Sequence, residues 1–327
     1  WADQLATAAQ NGYFDDEIDH WQQLTDIPTD IPRDHNHTGN GTVTTQTTTT
    51  THLDPDTTHA LLREIPNVYR TQINDLLLSA LTRVLHTWTG HHTHLIDLEG
   101  HGREDLFDTT DLSRTVGWFT TMFPVTLTHA PDWDTQIKTT KQTLHTIPRH
   151  GIGHGLHTHH NIPAPTPDLS FNYLGRFDHN GPLHSQLILN NGHEYHPDEE
   201  RAHLLDLVAY IDQDDTLALS WIFSTTLHDP KTINHLADSL LHELKELVTF
   251  CQSEHAGGAT PCDFPLVDID QATTDRLATT TTADIWPLTP MQQGMLFHSL
   301  LHNDNAYLEQ ITLTIEGLDN PERLAHA

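Results

Sequence analysis

The sequence predicts an α/β fold of the α+β kind, in which strands alternate with amphipathic helices. Residues 72–89 place leucine, isoleucine, valine and alanine on one broad helical face, which is typical of a helix buried against other elements. Residues 204–212 and 217–224 are two apolar runs separated by a short polar turn, a pattern that predicts a β-hairpin. The length of 327 residues allows about two domains.

The other elements follow from the periodicities of helix and strand. The Thr-rich run 42–52 favours an edge or half-exposed strand, because β-branched residues favour extended backbone. A short apolar run at 95–98 predicts a buried strand. Further helical segments are predicted at 2–25, 54–64, 132–144 and 230–251, and further strands at 123–127 and 168–175.

The charge of the chain argues against two classes of partner. The chain has 45 acidic and 15 basic residues and a formal net charge of -30. Nucleic acids and anionic membrane surfaces attract Lys and Arg, so we expect neither as a partner. The two cysteines, Cys251 and Cys262, are too few for a disulfide framework, and no apolar run is long enough to span a bilayer. We therefore expect a cytoplasmic protein.

The first candidate site is the run Leu-Glu-Gly-His-Gly-Arg-Glu at 98–104. Glu99 ends a predicted buried strand, and two glycines then permit a tight turn that carries His101 and Arg103. A carboxylate presented in this way is suited to act as a general base. The alternative is a surface turn with scattered charges. Within the turn, His101 either orients Glu99 or only fills space, and Arg103 and Glu104 can pair with each other and brace it.

Aromatic and polar side chains elsewhere supply further candidates. Trp118 and Phe119 follow a glycine in the run 114–120, and they line a ligand channel or belong to the core. Asn172 and Tyr173 are neighbours on a predicted strand and therefore point to opposite faces of it. Histidine pairs and triplets at 91–94 and 157–160 reflect a composition of 29 histidines, so we predict no metal site.

The composition changes near the C-terminal end of the chain. Residues 256–283 contain glycine, proline and a Thr run, and they are predicted to form a linker with one short helix. A new amphipathic unit begins at 284, where Thr289 is placed to cap a helix at 290–301 and a strand is expected at 309–316. The beginning at Trp1 and the ending at Ala327 suggest a piece of a longer protein.

Several motifs in one order now resemble a known family. They are EGHGRE at 99–104, RTVGWFT at 114–120, a Gly-rich segment at 148–156 and FNYLG at 171–175. Together they resemble the epimerization domains of nonribosomal peptide synthetases, which belong to the condensation-domain superfamily. The run LTPMQQGMLFH at 288–298 resembles the opening motif of a following condensation domain.

The resemblance implies a chloramphenicol-acetyltransferase-like fold, with lobes built from a mixed sheet and flanking helices. It implies that residues 1–255 are an epimerization-type domain without most of its N-terminal lobe, followed by a linker at 256–283 and the start of a condensation domain at 284–327. The family motif HHxxxDG is absent, since the residues after His91 and His92 do not match it. His154 and Arg176 stand where the family often has Tyr and Gln.

The resemblance also implies a reaction, the inversion of Cα in an aminoacyl or peptidyl thioester. Glu99 and Tyr173 are then expected to be catalytic, supported by His101, Arg103 and Asn172, with Trp118 and Phe119 along the substrate channel.

The substrate is carried on the 4'-phosphopantetheine of a carrier protein, and the domain itself binds no cofactor. The expected partners are an upstream carrier domain and a downstream condensation domain. Because HHxxxDG is missing, we expect little activity from this chain alone. Two alternatives stay open, a docking module without catalysis and a condensation domain that forms peptide bonds.

Overall fold

Six strands form one mixed sheet in the computed structural model, which describes residues 1–156, 165–176, 195–279, 282–302 and 311–312. The spatial order of the strands is β1-β6-β5-β4-β2-β3. β4 runs parallel to β5 and β2, whereas the other neighbouring strands are antiparallel. The strands are β1 (Gln46–Leu53), β2 (Thr93–Gly100), β3 (Thr121–Thr128), β4 (Leu169–Arg176), β5 (Leu205–Ile211) and β6 (Leu217–Ser224).

Three long helices cover one face of this sheet: α5 (Ile73–Thr89), α6 (Trp133–His145) and α7 (Pro230–Cys251). The other helices are α1 (Ala2–Gln10), α2 (Ile18–Gln23), α3 (Pro55–His59), α4 (Pro66–Tyr69), α8 (Gln271–Leu277) and α9 (Pro290–His302). α5 begins at a capping box, in which the Gln72 N–H donates to the Asp75 carboxylate, and it ends at Gly90. Of the helices that the structure describes, none has both the length and the apolar surface needed to cross a membrane.

The two faces of the sheet differ in chemistry. In β5 the side chains of Leu205, Leu207 and Ala209 are buried on the helix-bearing face, whereas Asp206 and Val208 are half-buried on the opposite face. The same alternation runs through β2 and β4. We call the second face the polar face, and it is where the carboxylates of the central strands emerge.

The sequence predicted most of this architecture. The helix at 72–89, the hairpin at 204–224 and the strands at 95–98, 123–127 and 168–175 are confirmed. Residues 46–52 of the Thr-rich run belong to β1, which is an edge strand of the sheet, as expected, whereas Val43–Thr45 form a 3-10 turn. Only residues 311–312 of the strand expected at 309–316 lie within the described residues.

The segment predicted to be a linker packs against the preceding unit. Phe264 is fully buried, and Thr260 caps a short turn whose Asp263 pairs with Lys141 of α6. Lys141 is itself buried, with its Nζ 2.6 Å from Asp263 Oδ1 and 2.8 Å from the carbonyl oxygen of Tyr69. Residues 256–283 thus form one compact unit with residues 1–255, because a buried ion pair and an aromatic anchor fix them there. The one short helix expected in this segment is α8, and the segment's role as a linker stays a prediction.

Residues 284–327 form a second unit. Its α9 begins where the sequence predicted, since the Thr289 Oγ1 accepts a hydrogen bond from the Gln292 N–H and the Gln292 side chain accepts one from the Thr289 N–H. The helix carries exposed apolar side chains on several sides, including Met291, Phe297 and Leu300.

Breaking the Lys141–Asp263 pair is expected to destabilise the first unit. Lys141→Met leaves the Asp263 carboxylate buried without its cation, so the free energy of unfolding should fall by about 3–5 kcal/mol. Urea denaturation measures this change. The control is Lys245→Met, because Lys245 forms an exposed ion pair in which its Nζ lies 3.7 Å from Asp54 Oδ2. The control should change stability by less than about 1 kcal/mol, and equal losses in both variants would contradict the prediction.

Candidate active site

The parallel contact between β2 and β4 brings Glu99 and Asn172 together. Leu98 lies opposite Phe171 in this contact, so the next residue of each strand emerges on the polar face beside the other. The Asn172 side-chain amide donates a hydrogen bond to Glu99 Oε2. Glu99 is also exposed to solvent. The structure thus joins one residue predicted to be catalytic with one predicted to support it, at a solvent-exposed point of the sheet.

The surroundings of Glu99 raise the pKa of its carboxyl group. Partial burial against the sheet is the largest cause, and the negative charge of Asp206 adds to it, while the positive charge of His203 opposes both. A carboxylate with a raised pKa is a stronger base when ionised, and it exchanges a proton more readily near neutral pH. Glu99 is therefore suited to remove a proton from a substrate and to return one.

The turn after Glu99 is bound tightly to the loop that contains Trp118 and Phe119. Gly102 has φ of +64°, and a Cβ added there would lie 1.7 Å from the carbonyl oxygen of Phe119. Arg103 donates hydrogen bonds to the carbonyl oxygens of Leu112 at 2.7 Å and Gly117 at 3.2 Å. Its guanidinium also lies 4.2 Å from the centre of the Phe119 ring. The EGHGRE turn and the RTVGWFT loop are therefore one braced substructure.

His101 and Glu104 interact within the turn. The Arg103 N–H donates to His101 Nδ1 at 3.0 Å, and His101 Nε2 lies 3.4 Å from Glu104 Oε1. His150 approaches the other oxygen of Glu104 at 3.9 Å. Glu104 therefore pairs with histidines, and the expected alternative of an Arg103–Glu104 pair is wrong. His101 and Arg103 support the shape of the turn, and neither hydrogen-bonds Glu99 in the described structure.

Trp118 and Phe119 have different environments. Trp118 is 90% exposed, so it does not belong to the core. Phe119 is half-buried beneath Arg103. Their role along a substrate channel stays a prediction.

Tyr173 lies on the opposite face of the sheet from Glu99. It pairs with Ala209 of β5, which is buried on the helix-bearing face, and its ring packs against the core. Burial raises the pKa of its phenol, and the nearby Arg176 partly offsets this. The structure brings Asn172 to Glu99 but does not bring Tyr173 there, and a direct catalytic role for Tyr173 stays a prediction.

A cluster of charged groups beside Glu99 was not predicted from the sequence. His203 Nε2 lies 2.8 Å from Asp97 Oδ2, and His203 Nδ1 lies 3.2 Å from Asp206 Oδ1. Arg201 donates to the other oxygen of Asp206 at 2.6 Å. The available signal was the alternation of strand residues, which places Asp97 on the same face as Glu99. His203 precedes β5, and periodicity gives no position for it.

Metal binding finds no support in the residues that the structure describes, since these contain no group of three His, Cys, Asp or Glu arranged to hold an ion. The histidines at 157–160 lie outside the described residues. Cys251 and Cys262 are both free thiols.

Comparison with known proteins agrees with this fold. The architecture, a mixed sheet with flanking helices, is that of condensation and epimerization domains with the chloramphenicol-acetyltransferase-like fold. A family model described as "Condensation domain" matches residues 1–260. The chain belongs to the condensation-domain family.

Three known proteins illustrate what this chain is similar to. A linear gramicidin synthase of Brevibacillus parabrevis is 38% identical over 98% of this chain, which spans 6% of that protein. The crystal structure of the epimerization domain from the third module of tyrocidine synthetase B has a TM-score of 0.69 and 35% identity, covering 77% of this chain and 59% of that one. The condensation domain of the polyketide synthase MokA shares the fold, with a TM-score of 0.56, 17% identity and coverage of 77% and 60%.

The close contact at Gly102 leads to a testable prediction. Gly102→Ala places a methyl group against the Phe119 carbonyl, so the loop at 112–119 must move or the turn must open. Gly90→Ala is the matched control, because Gly90 has φ of +77° and nothing within 4 Å of an added Cβ. Gly102→Ala should cost about 1–3 kcal/mol more than Gly90→Ala in the free energy of unfolding. If both variants lose the same free energy of unfolding, the positive φ alone explains why position 102 is a glycine.

Proposed function

We propose that this chain is part of a nonribosomal peptide synthetase and inverts the configuration at Cα of an aminoacyl or peptidyl thioester. The observation that carries the proposal is the accessible Glu99 carboxylate, which has a raised pKa and a hydrogen bond from Asn172. The 35% identity to an epimerization domain supports this reaction over peptide-bond formation. The substrate would be carried on the phosphopantetheine arm of a carrier domain, and the chain itself would need no bound cofactor.

The chemistry requires two proton transfers at one carbon. A base removes the Cα proton, and the electron pair of the broken C–H bond moves into an enolate whose negative charge rests on the thioester oxygen. A proton then forms a new C–H bond on the opposite face of Cα. We assign one transfer to Glu99, and the Asn172 amide orients its carboxylate.

The second proton-transfer group is proposed to be a histidine outside these 327 residues. The sequence contains no HHxxxDG run, the motif that supplies this histidine in the family. The proposed partners in the same polypeptide are a carrier domain upstream and a condensation domain that begins near residue 284. A condensation domain placed after an epimerase would accept a donor of D configuration.

Glu99→Gln tests the assignment of the base. In the synthetase that carries this chain, the variant should exchange the Cα proton of carrier-bound aminoacyl thioesters at least about 100-fold more slowly, because the amide cannot accept the proton. Deuterium uptake from heavy water and the chirality of the released amino acid measure the effect over a panel of amino acids.

The control for this test is Glu246→Gln, an exposed residue of α7. It should exchange at the unmodified rate. Exchange that is unaffected by Glu99→Gln would remove Glu99 from the mechanism. If the unmodified synthetase shows no exchange and still binds the carrier, the docking alternative is favoured instead.

The 327-residue chain alone should exchange this proton slowly, because only one of the two proposed groups is present. The measurement is deuterium uptake with the same carrier-bound thioesters, compared at equal concentration with the intact synthetase. Exchange by the chain alone at the rate of the synthetase would overturn the assignment of the second group.

A further inference from the structure

The buried imidazole of His203 bridges two carboxylates on the polar face. Its Nε2 lies 2.8 Å from Asp97 Oδ2, and its Nδ1 lies 3.2 Å from Asp206 Oδ1. Asp206 also accepts a hydrogen bond from Ser170 at 2.6 Å. His203 is only 6% exposed, and both of its ring nitrogens face an acceptor. This arrangement fits an imidazolium, in which both nitrogens donate.

The bridge formed by Asp97, His203 and Asp206 spans the junction of the sheet that has the fewest paired residues. β2 and β4 are paired at two positions only, whereas β4 and β5 are paired along most of their length. Asp97 belongs to β2 and Asp206 to β5, so the link from Asp97 through His203 to Asp206 passes over β4. Glu99 and Asn172 face each other across the same junction, two residues along from Asp97 and Ser170. The spacing of the catalytic pair therefore depends on the spacing that the bridge maintains.

The charge of His203 has a physical basis in its partners. Burial by itself would lower the pKa of its imidazole, but the hydrogen bonds and negative charges of Asp206 and Asp97 raise it to about 9. The group is therefore a cation at neutral pH. Its charge acts on Glu99 in the direction opposite to that of Asp206.

The other charged groups near Glu99 are committed to different partners. His101 and Glu104 interact with each other, Arg103 contacts the loop at 112–119, and Arg201 contacts Asp206. The neighbouring residues on β3 and β4 are Met122 and Asn172, which carry no charge. Among the described residues, the charges that act on the Glu99 pKa are those of Asp206, which raises it, and His203, which lowers it.

We propose that protonated His203 is a positioning residue for Glu99. It fixes β2 against β4 and β5, so that the Glu99 carboxylate stays on the Asn172 amide, and its charge offsets that of Asp206. The effect on catalysis rests on the function proposed above for Glu99. The effect on the position and protonation of Glu99 does not depend on that function.

The test compares His203→Gln with His35→Gln. His35 is an exposed histidine whose Nε2 lies 3.2 Å from Asp229, so its replacement removes a histidine–carboxylate pair far along the chain from Glu99. In the 327-residue chain, carbon-13 NMR of the Glu99 carboxyl group should show a higher pKa in His203→Gln, because a nearby positive charge is lost. The Glu99→Gln variant identifies the signal. His35→Gln should leave that pKa unchanged.

In the synthetase, His203→Gln should lower kcat for α-proton exchange about tenfold and change KM less than about twofold, because the carboxylate is misplaced while substrate contacts remain. The acidic limb of the pH profile should move to higher pH together with the Glu99 pKa. A purely structural histidine would lower the amount of folded protein and leave the limb where it was.

A second variant covers the case in which His203→Gln does not fold. Asp97→Asn keeps the shape and an acceptor oxygen but removes one negative charge, so the His203 pKa should fall, as measured by NMR of the imidazole in the 327-residue chain. In the unmodified chain His203 should stay protonated at pH 8. A His203 that titrates near 6.5, or an unchanged Glu99 pKa in His203→Gln, overturns the inference. If Glu99→Gln does not slow exchange, the proposed function is wrong. The titrations of His203 and Glu99 then still show whether His203 is protonated and whether it acts on Glu99.

Discussion

The two-residue parallel contact between β2 and β4 is the constraint on which the candidate site depends. It joins a four-stranded part of the sheet, β1-β6-β5-β4, to the antiparallel pair β2-β3. Its register decides that Glu99 emerges beside Asn172, since a shift of one residue would turn one of the two side chains to the core. The polar face then gathers Asp97, Glu99, Ser170 and Asn172 on neighbouring strands. The pKa of the Glu99 carboxyl group is raised here chiefly because the group is partly buried against the sheet, and the negative charge of Asp206 adds to this effect.

The residues of the EGHGRE run have two different roles, one chemical and one structural. Glu99 faces the polar side of the sheet, whereas Gly102 and Arg103 attach the turn to the loop at 112–119. His101 and Glu104 satisfy each other inside the turn. In this run, Glu99 is therefore the candidate acid–base group, and the residues after it hold the loop at 112–119 in place.

Periodicity predicted the elements well and their meeting points poorly. The helix at 72–89 and the strands of the hairpin are long, strongly patterned segments, and the structure has them as expected. Glu99 is predictable from the sequence because a carboxylate at a strand end beside glycines is a local pattern. Its pairing with Asn172 needs a register between strands separated by about seventy residues, which no local pattern contains. The ion pairs of His203 and Lys141 are not predictable from the sequence for the same reason, because their carboxylate partners Asp97 and Asp263 are remote in sequence.

The Thr-rich β1 has a consequence for how the molecule behaves at high concentration. It is an edge strand, with one row of backbone groups not paired within the sheet, and such edges attract strands from other molecules. Five of its eight side chains are threonines, and two of these hydroxyls hydrogen-bond to Ser220 and Asn234. A strand arriving from another molecule would gain backbone hydrogen bonds there but would bury little apolar surface. At this edge of the sheet, an added strand would therefore be held mainly by backbone hydrogen bonds.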